Sequence, residues 1–158
     1  MTNQDEQMKE KTENHIDEFK PLKVLIVDRK SDANQLKLFI QEMTHRALIM
    51  ENYNDALNEI KRRAFDLIMV EMNHDEGIDL IKQIRKYKRD QQILAMTSES
   101  SREIEKVARE QRVIYYMIKP FDTEELKSVL NHLIKRKLWA LNKEKDSKEK
   151  IDRVFKNS

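Results

Sequence analysis

Cysteine is absent from this 158-residue chain, which excludes disulfides and thiolate chemistry and fits a reducing compartment. Long apolar runs are absent too. No uninterrupted stretch approaches the ~20 residues that a membrane-spanning helix needs, and Met1 through Lys20 holds no apolar core of the kind that marks a secretory signal. Aromatic residues are scarce, at 6%, and are not interleaved with basic ones as single-strand nucleic-acid binders require. Charge of one sign is missing as well. Although 38% of residues are charged, the formal net charge is only +2, so no global field calls for nucleic acid or a membrane surface. A soluble, cytoplasmic protein is expected, long enough for one ordinary domain with appended sequence and too short for two.

Catalytic constellations are also lacking. None of the four histidines has a second His or Cys at ligand spacing, so His74, beside Asp75 and Glu76, reads as a solvated loop residue. The serines after Thr97 have neither a histidine base nor a nucleophile elbow. No enzyme is expected.

What is present is a regular alternation of periods. Short apolar runs, Val24-Leu25-Ile26-Val27, Ala47-Leu48-Ile49-Met50, Leu67-Ile68-Met69-Val70, Ile93-Leu94-Ala95-Met96 and Tyr116-Met117-Ile118, alternate with segments of helical spacing. The last of these carries Leu126, Val129, Leu130, Leu133 and Ile134. Ser100 with Glu103 and Asp122 with Glu125 have the spacing of capping boxes, which places two helix starts. Near-continuous apolar strands imply burial on both faces, hence an α/β fold with a five-stranded parallel sheet between helices. In such a sheet the residues that follow the strands converge at its carboxyl edge, where open α/β sheets place ligands. Here those residues are Asp28, Glu71, Thr97 and Lys119.

An acid after the first run, a carboxylate after the third, Thr97-Ser98 after the fourth and Lys119-Pro120-Phe121 after the fifth, with Gly77 just beyond the third, resemble the receiver domain of bacterial two-component response regulators. The resemblance covers about Leu22 to Lys137 and implies the three-layer, flavodoxin-like (βα)5 fold of CheY-like proteins. It also implies roles. Asp28 matches the first of two Mg²⁺-binding acids, Glu71 the phosphoacceptor, Thr97 the switch hydroxyl, Lys119 the phosphate-pairing cation and Tyr116 the rotating aromatic of the switch. The face of the fourth helix, fifth strand and fifth helix would be the output surface, with Arg102, Lys106, Arg109 and Lys127 as partner contacts.

Three departures qualify those roles. Arg29, followed by Lys30, stands where the second acid belongs, so a divalent ion loses a hard oxygen ligand and meets positive charge. Glu71 is one methylene longer than aspartate and displaces its carboxylate by up to ~1.5 Å, a shift to which in-line transfer is sensitive. The loop Met72-Asn73-His74-Asp75-Glu76 is about two residues shorter than is usual in the family and lacks its proline. The expectation is therefore an atypical receiver, a pseudo-receiver with no bound cofactor, impaired Mg²⁺ binding and Asp28 as the remnant ligand. Arg29 is expected to pair with Asp28 or Glu71, and Lys119 with the other carboxylate. The cluster is either a partial imitation of the active state or an inert ion-pair network. Two rival functions stay open: a conventional phosphorelay receiver phosphorylated at Glu71, and an adaptor that binds nucleic acid through a basic tail.

Both ends extend past the domain, which is expected to span residues 21–137. Residues 1–20 are polar and expected to be disordered. After the domain, helical spacing continues through Leu138, Trp139 and Leu141 and resumes at Ile151, Val154 and Phe155, giving an extended basic C-terminal helix over 138–158; the apolar register breaks between Leu141 and Ile151, which argues against a long heptad coiled coil and for a helix that packs back on the domain or joins a dimer. No helix-turn-helix or large effector domain follows, so output is expected through protein contacts: a histidine kinase or other signalling protein, or a homodimer formed by the output face or the C-terminal helix. Nucleic acid is not the expected partner.

Overall fold

The computed structural model describes residues 21–157. The expected disorder of residues 1–20 falls outside the described residues. Five strands, β1 (Lys23–Val27), β2 (Arg46–Met50), β3 (Leu67–Glu71), β4 (Ile93–Thr97) and β5 (Tyr115–Ile118), alternate with five helices. The helices are α1 (Ala33–Glu42), α2 (Tyr53–Arg62), α3 (Asp75–Tyr87), α4 (Arg102–Glu110) and α5 (Thr123–Lys156). All pairings are parallel, in the order β2-β1-β3-β4-β5. The five parallel strands between helices are those that the alternating periods predict, and their order is that of the flavodoxin-like, CheY-type fold that the resemblance implies.

Strand pleating sends alternate residues to opposite faces, and the chain supplies apolar side chains to both. On one face Val24, Ile26, Met69 and Leu94 pack with Leu36 and Ile40 of α1 and with Leu126 and Leu130 of α5. On the other, Leu25, Val27, Ile68 and Val70 pack with Ile60 of α2, Ile81 and Ile84 of α3 and Ala108 of α4. Burying each larger aliphatic contributes roughly 1.5–3 kcal/mol, so the central strands are fixed by packing rather than by local propensity. α4 is the weakly held member, since Ala108 is its single buried residue. Ile104 and Val107 cover the core only partly.

The expected cap at Ser100 is displaced by one residue. Ser101 caps α4, accepting the Ile104 N–H at 3.1 Å, because Ser100 is turned toward Tyr116 instead, with 3.0 Å between their hydroxyls. Asp122 caps α5 as its spacing predicts, accepting the N–H groups of Glu124 and Glu125 at 2.8 and 3.0 Å.

Leu22–Ile134 forms one compact unit. The α5 residues after Ile134 lie outside that unit and carry exposed apolar side chains, among them Leu138, Trp139, Leu141, Ile151, Val154 and Phe155. No helix among the described residues is long and apolar enough to cross a membrane.

Candidate functional site at the carboxyl edge of the sheet

Strand register sets the site. Val27 of β1 pairs with Val70 of β3, Glu71 with Met96 of β4, and Thr97 with Ile118 of β5. Asp28, Glu71, Thr97 and Lys119 are thereby delivered to one edge, and the first three are buried. A buried ionised group is tolerated only when paired and hydrogen-bonded, so its partners define the state of the site.

Asp28 is fully committed. Its Oδ2 accepts Lys119 Nζ at 2.5 Å and its Oδ1 accepts the Lys30 N–H at 2.9 Å. Lys119 also reaches the Asp32 carboxylate at 3.2 Å. Asp32 was not singled out from the sequence; it is the N-cap of α1, and the non-helical turn after Asp28 brings this second acid back to the same cation. Lys119 follows a short β5 and is held by its own N–H, which donates to the Thr97 carbonyl at 2.8 Å.

Glu71 contradicts the expected pairing. Neither cation engages its carboxylate; Oε1 accepts the backbone N–H of Asn73 at 2.8 Å, and the Glu71 carbonyl accepts the Tyr53 hydroxyl at 3.1 Å. The extra methylene folds the carboxylate back onto the loop that follows it. Gly77, in the first turn of α3, stands against the same carbonyl. A Cβ there would lie 2.0 Å from Glu71 O, so glycine is required for space, its φ not being positive.

Arg29 is the second correction. It turns away from Asp28 and Glu71, pairs with Glu76 in the first turn of α3 and donates to the Glu51 carbonyl at 3.3 Å. Its guanidinium carbon lies 5.0 Å from the centroid of the Tyr53 ring. The reason is occupancy: both Asp28 oxygens already have donors, whereas Glu76 is exposed and the Tyr53 ring offers a cation–π face. Burial, then the charges of Glu71 and Asp28, pushes the Tyr53 hydroxyl well above its ordinary value.

Asn73, also unforeseen, ties the edge together. Its Oδ1 accepts the Thr97 hydroxyl at 2.7 Å and the Ser98 N–H at 2.9 Å, while its Nδ2 donates to Ser98 Oγ. Lys30 Nζ reaches the same Ser98 oxygen at 2.9 Å. Nothing in the sequence distinguishes Asn73 from an ordinary turn residue; only the register of β3 against β4 gives it these partners. Among the described residues, no group of three or more His, Cys, Asp or Glu side chains is arranged to hold a metal ion.

Tyr116 and the four basic residues lie away from this cluster. Tyr116 packs partly against the α2/α3/α4 core. Arg102, Lys106, Arg109 and Lys127 are exposed, with Arg109 paired to Glu105 at 2.8 Å and Lys106 to Glu110 at 4.0 Å along α4 itself.

Comparison with known proteins agrees with this architecture. The response regulator receiver domain family matches residues 24–131. The sensory transduction protein LytR of Staphylococcus epidermidis is 30% identical over 129 residues, covering 78% of this chain and 50% of that protein. The transcriptional regulatory protein ZraR of Klebsiella oxytoca is 26% identical over 114 residues, covering 70% and 26%. The chain thus spans half the length or less of these curated relatives. A two-component response regulator from Clostridium difficile superposes with a TM-score of 0.66 at 28% identity, over 73% of this chain and 97% of that one. The Vibrio cholerae chemotaxis protein CheY4 shares the fold, with a TM-score of 0.64 at 24% identity over 72% and 99%. With its sheet and residues 24–131 matched in this way, the chain belongs to the response regulator receiver domain family of two-component signalling.

Proposed function

We propose that this protein is an atypical receiver that signals through protein contacts and not through phosphorylation of its own Glu71. The observation that carries the reading is the closure of the site on itself. Lys119 is held between Asp28 and Asp32, Glu71 is satisfied by the loop backbone, and Arg29, at the position where a second oxygen ligand would be needed, offers none and turns away to Glu76. Divalent Mg²⁺ demands an octahedron of oxygens, and the residues present do not fit it. A phosphoryl group brings roughly −1.5 to −2 charges and three acceptor oxygens, against one charge and two oxygens on glutamate. Glu71 therefore imitates a phosphorylated acceptor only in part.

Signal output passes through the face of α4, β5 and α5, where Arg102, Lys106, Arg109 and Lys127 offer basic contacts to an acidic protein surface, such as that of a histidine kinase or another signalling protein. The small buried surface of α4 supports this assignment, because a helix with little packing changes position at low cost.

The test is Mg²⁺-dependent labelling by a small phosphodonor, with amide NMR of the chain in Mg²⁺ and beryllofluoride alongside it. The unaltered chain and Glu71→Asp should both stay unlabelled, and amides near Glu71, Thr97 and Tyr116 should not move. Arg29→Asp combined with Glu71→Asp should gain labelling. Stoichiometric, Mg²⁺-dependent labelling of the unaltered chain overturns the proposal and makes it a conventional receiver.

A further inference from the structure

β2 ends the sheet on the side away from β5, and its outer edge is open. The Arg46 N–H donates to the Leu22 carbonyl at 2.9 Å and the Met50 carbonyl accepts the Asp28 N–H at 3.2 Å, both toward β1. Backbone groups of alternate residues face opposite edges of a strand, so those of Ala47 and Ile49 face outward. Among the described residues they have no hydrogen-bond partner, which leaves a short template for another strand.

Beside this edge lies a cavity of about 480 Å³ whose walls include Lys23, Arg46, Arg63, Leu48 and Phe65. Arg63 is paired with Glu59 at 3.1 Å, and Asp66, which follows Phe65, accepts the Lys23 backbone N–H at 2.8 Å. Lys23 and Arg46 are register partners on adjacent strands, so two like charges stand side by side. Neither side chain has a carboxylate partner among the described residues. Leu48 shares their face of the sheet and is 38% exposed.

An occupant that satisfies all of this has extended backbone, a carboxylate for the two cations and an apolar side chain two residues away for Leu48. A second copy of this chain does not qualify. The β2 residues on the face of Arg46 are Leu48 and Met50, so edge-to-edge pairing of two copies brings no acid to it in any register. We infer that the β2 edge takes up an extended, acidic segment of a partner protein as a sixth strand, with backbone bonds supplying affinity and the Lys23/Arg46 cavity supplying selection. This surface is independent of the reading of Glu71.

The probe is the capped peptide Thr-Val-Thr-Asp-Thr-Val-Thr, whose acid has valine two residues away on both sides and so suits either strand direction. Amide exchange of the full chain is followed by NMR with peptide up to about 1 mM. Exchange at Ala47 and Ile49 should slow by about twofold at half occupancy, while Leu48, whose N–H faces β1, should not change. Arg46→Glu should weaken binding by about tenfold and should transfer preference to the same peptide with lysine in place of its acid. Ala47→Pro removes an outward N–H and no bond to β1, so it should abolish uptake; Arg46→Glu tests the site without altering the backbone.

Four results overturn the inference. One is unchanged exchange at Ala47 and Ile49, even if Lys23 and Arg46 shift, which is anion binding without an added strand. Another is equal binding of the acidic and basic peptides. Protection of Ala47 and Ile49 in the free chain that grows with protein concentration assigns the edge to a second copy, and protection at every concentration assigns it to a segment of the chain itself.

Discussion

Replacing Gly77 by alanine places two well-measured tendencies in opposition at one atom. Alanine is the better helix former by roughly 0.8–1.0 kcal/mol, and Gly77 lies in the first turn of α3, so a purely local view has Gly77→Ala stabilising the protein. The tertiary view has the opposite sign. The new Cβ would stand 2.0 Å from the Glu71 carbonyl oxygen, where ordinary contact begins at 3.4 Å, a deficit of 1.4 Å. Neither side can turn away, because the obstacle is backbone of a fully buried strand and the methyl is fixed to helix. Overpacking costs about 1–3 kcal/mol when side chains can adjust, so the upper end applies. After the helical gain is subtracted, a net loss of about 2 kcal/mol is expected. Urea unfolding reads it as a lower midpoint at unchanged slope. Gln83→Ala, at an exposed position of the same helix, serves as the control and should stay within ~0.5 kcal/mol. A Gly77→Ala protein as stable as the parent, or more so, would refute the close approach of α3 to the end of β3. The displacement should also disturb the Tyr53 bond to that carbonyl and shift the Asn73 amide.

Lys119→Met removes the cation from Asp28, whose side chain has no exposure, and breaking a buried pair in this way costs about 3–5 kcal/mol. Asp28→Asn added to it should recover most of the loss in urea unfolding, and equal stability of the single and double variants would contradict the pairing. The Tyr115 hydroxyl donates to the Glu125 carboxylate at 2.6 Å; that bond first, then burial, pushes its pKa from 10.0 up to about 12. A raised pKa means stability that is complete below pH 10 and lost as pH climbs toward about 12. Thermal unfolding across that window should show a decline that Tyr115→Phe removes, and identical pH profiles would exclude it. Arg85 donates to the carbonyls of Gln91, Gln111 and Arg112 at 2.5, 2.7 and 3.0 Å. Arg85→Ala should cost about 2 kcal/mol in urea unfolding. Arg85→Lys should recover little, because an ammonium cannot span the three carbonyls that the planar fork reaches.

The sheet was legible because its evidence is additive: five apolar runs, each followed by helical spacing, call for a parallel sheet between helices once both faces of the strands must be buried, while its strand order followed only from the resemblance to the receiver family. The site was legible only to the level of position. Asp28, Glu71, Thr97 and Lys119 lie at strand ends, and strand ends are set by the core. Their partners are not, since hydrogen bonds and ion pairs depend on register and on which acceptor is already filled. Arg29 illustrates this: adjacency to Asp28 suggests a pair, yet Lys119 and the Lys30 N–H occupy both Asp28 oxygens, and Arg29 turns to Glu76. Ser100 and Ser101 show the same competition, with Tyr116 drawing one hydroxyl away and leaving the cap to the other. Asn73 carries no local signature, so its part in the site is a property of the folded register alone.

That part bears on how such a domain transmits anything. With one buried residue, α4 is held to the core by little apolar surface, so its placement rests to an unusual degree on the loop between β4 and α4. This loop is fastened at two points. Asn73 grips Thr97 and Ser98 at its start, where Lys30 also reaches Ser98, and Ser100 meets the Tyr116 hydroxyl just before the helix begins. The first point connects back to Glu71 through the Asn73 N–H, whereas the second lies on β5, in the proposed output face. A donor to Glu71 that is a backbone amide, with a fixed position and no titration, cannot report a change of charge in the way a lysine can. A partner that bears on Ser100 and Tyr116 acts on the loop directly, against a few hydrogen bonds each worth about 0.5–1.5 kcal/mol net, and needs no change at Glu71 to move α4. On the function proposed above, control from the partner side is thus the energetically shorter route, opposite in direction to one that starts at the carboxyl edge.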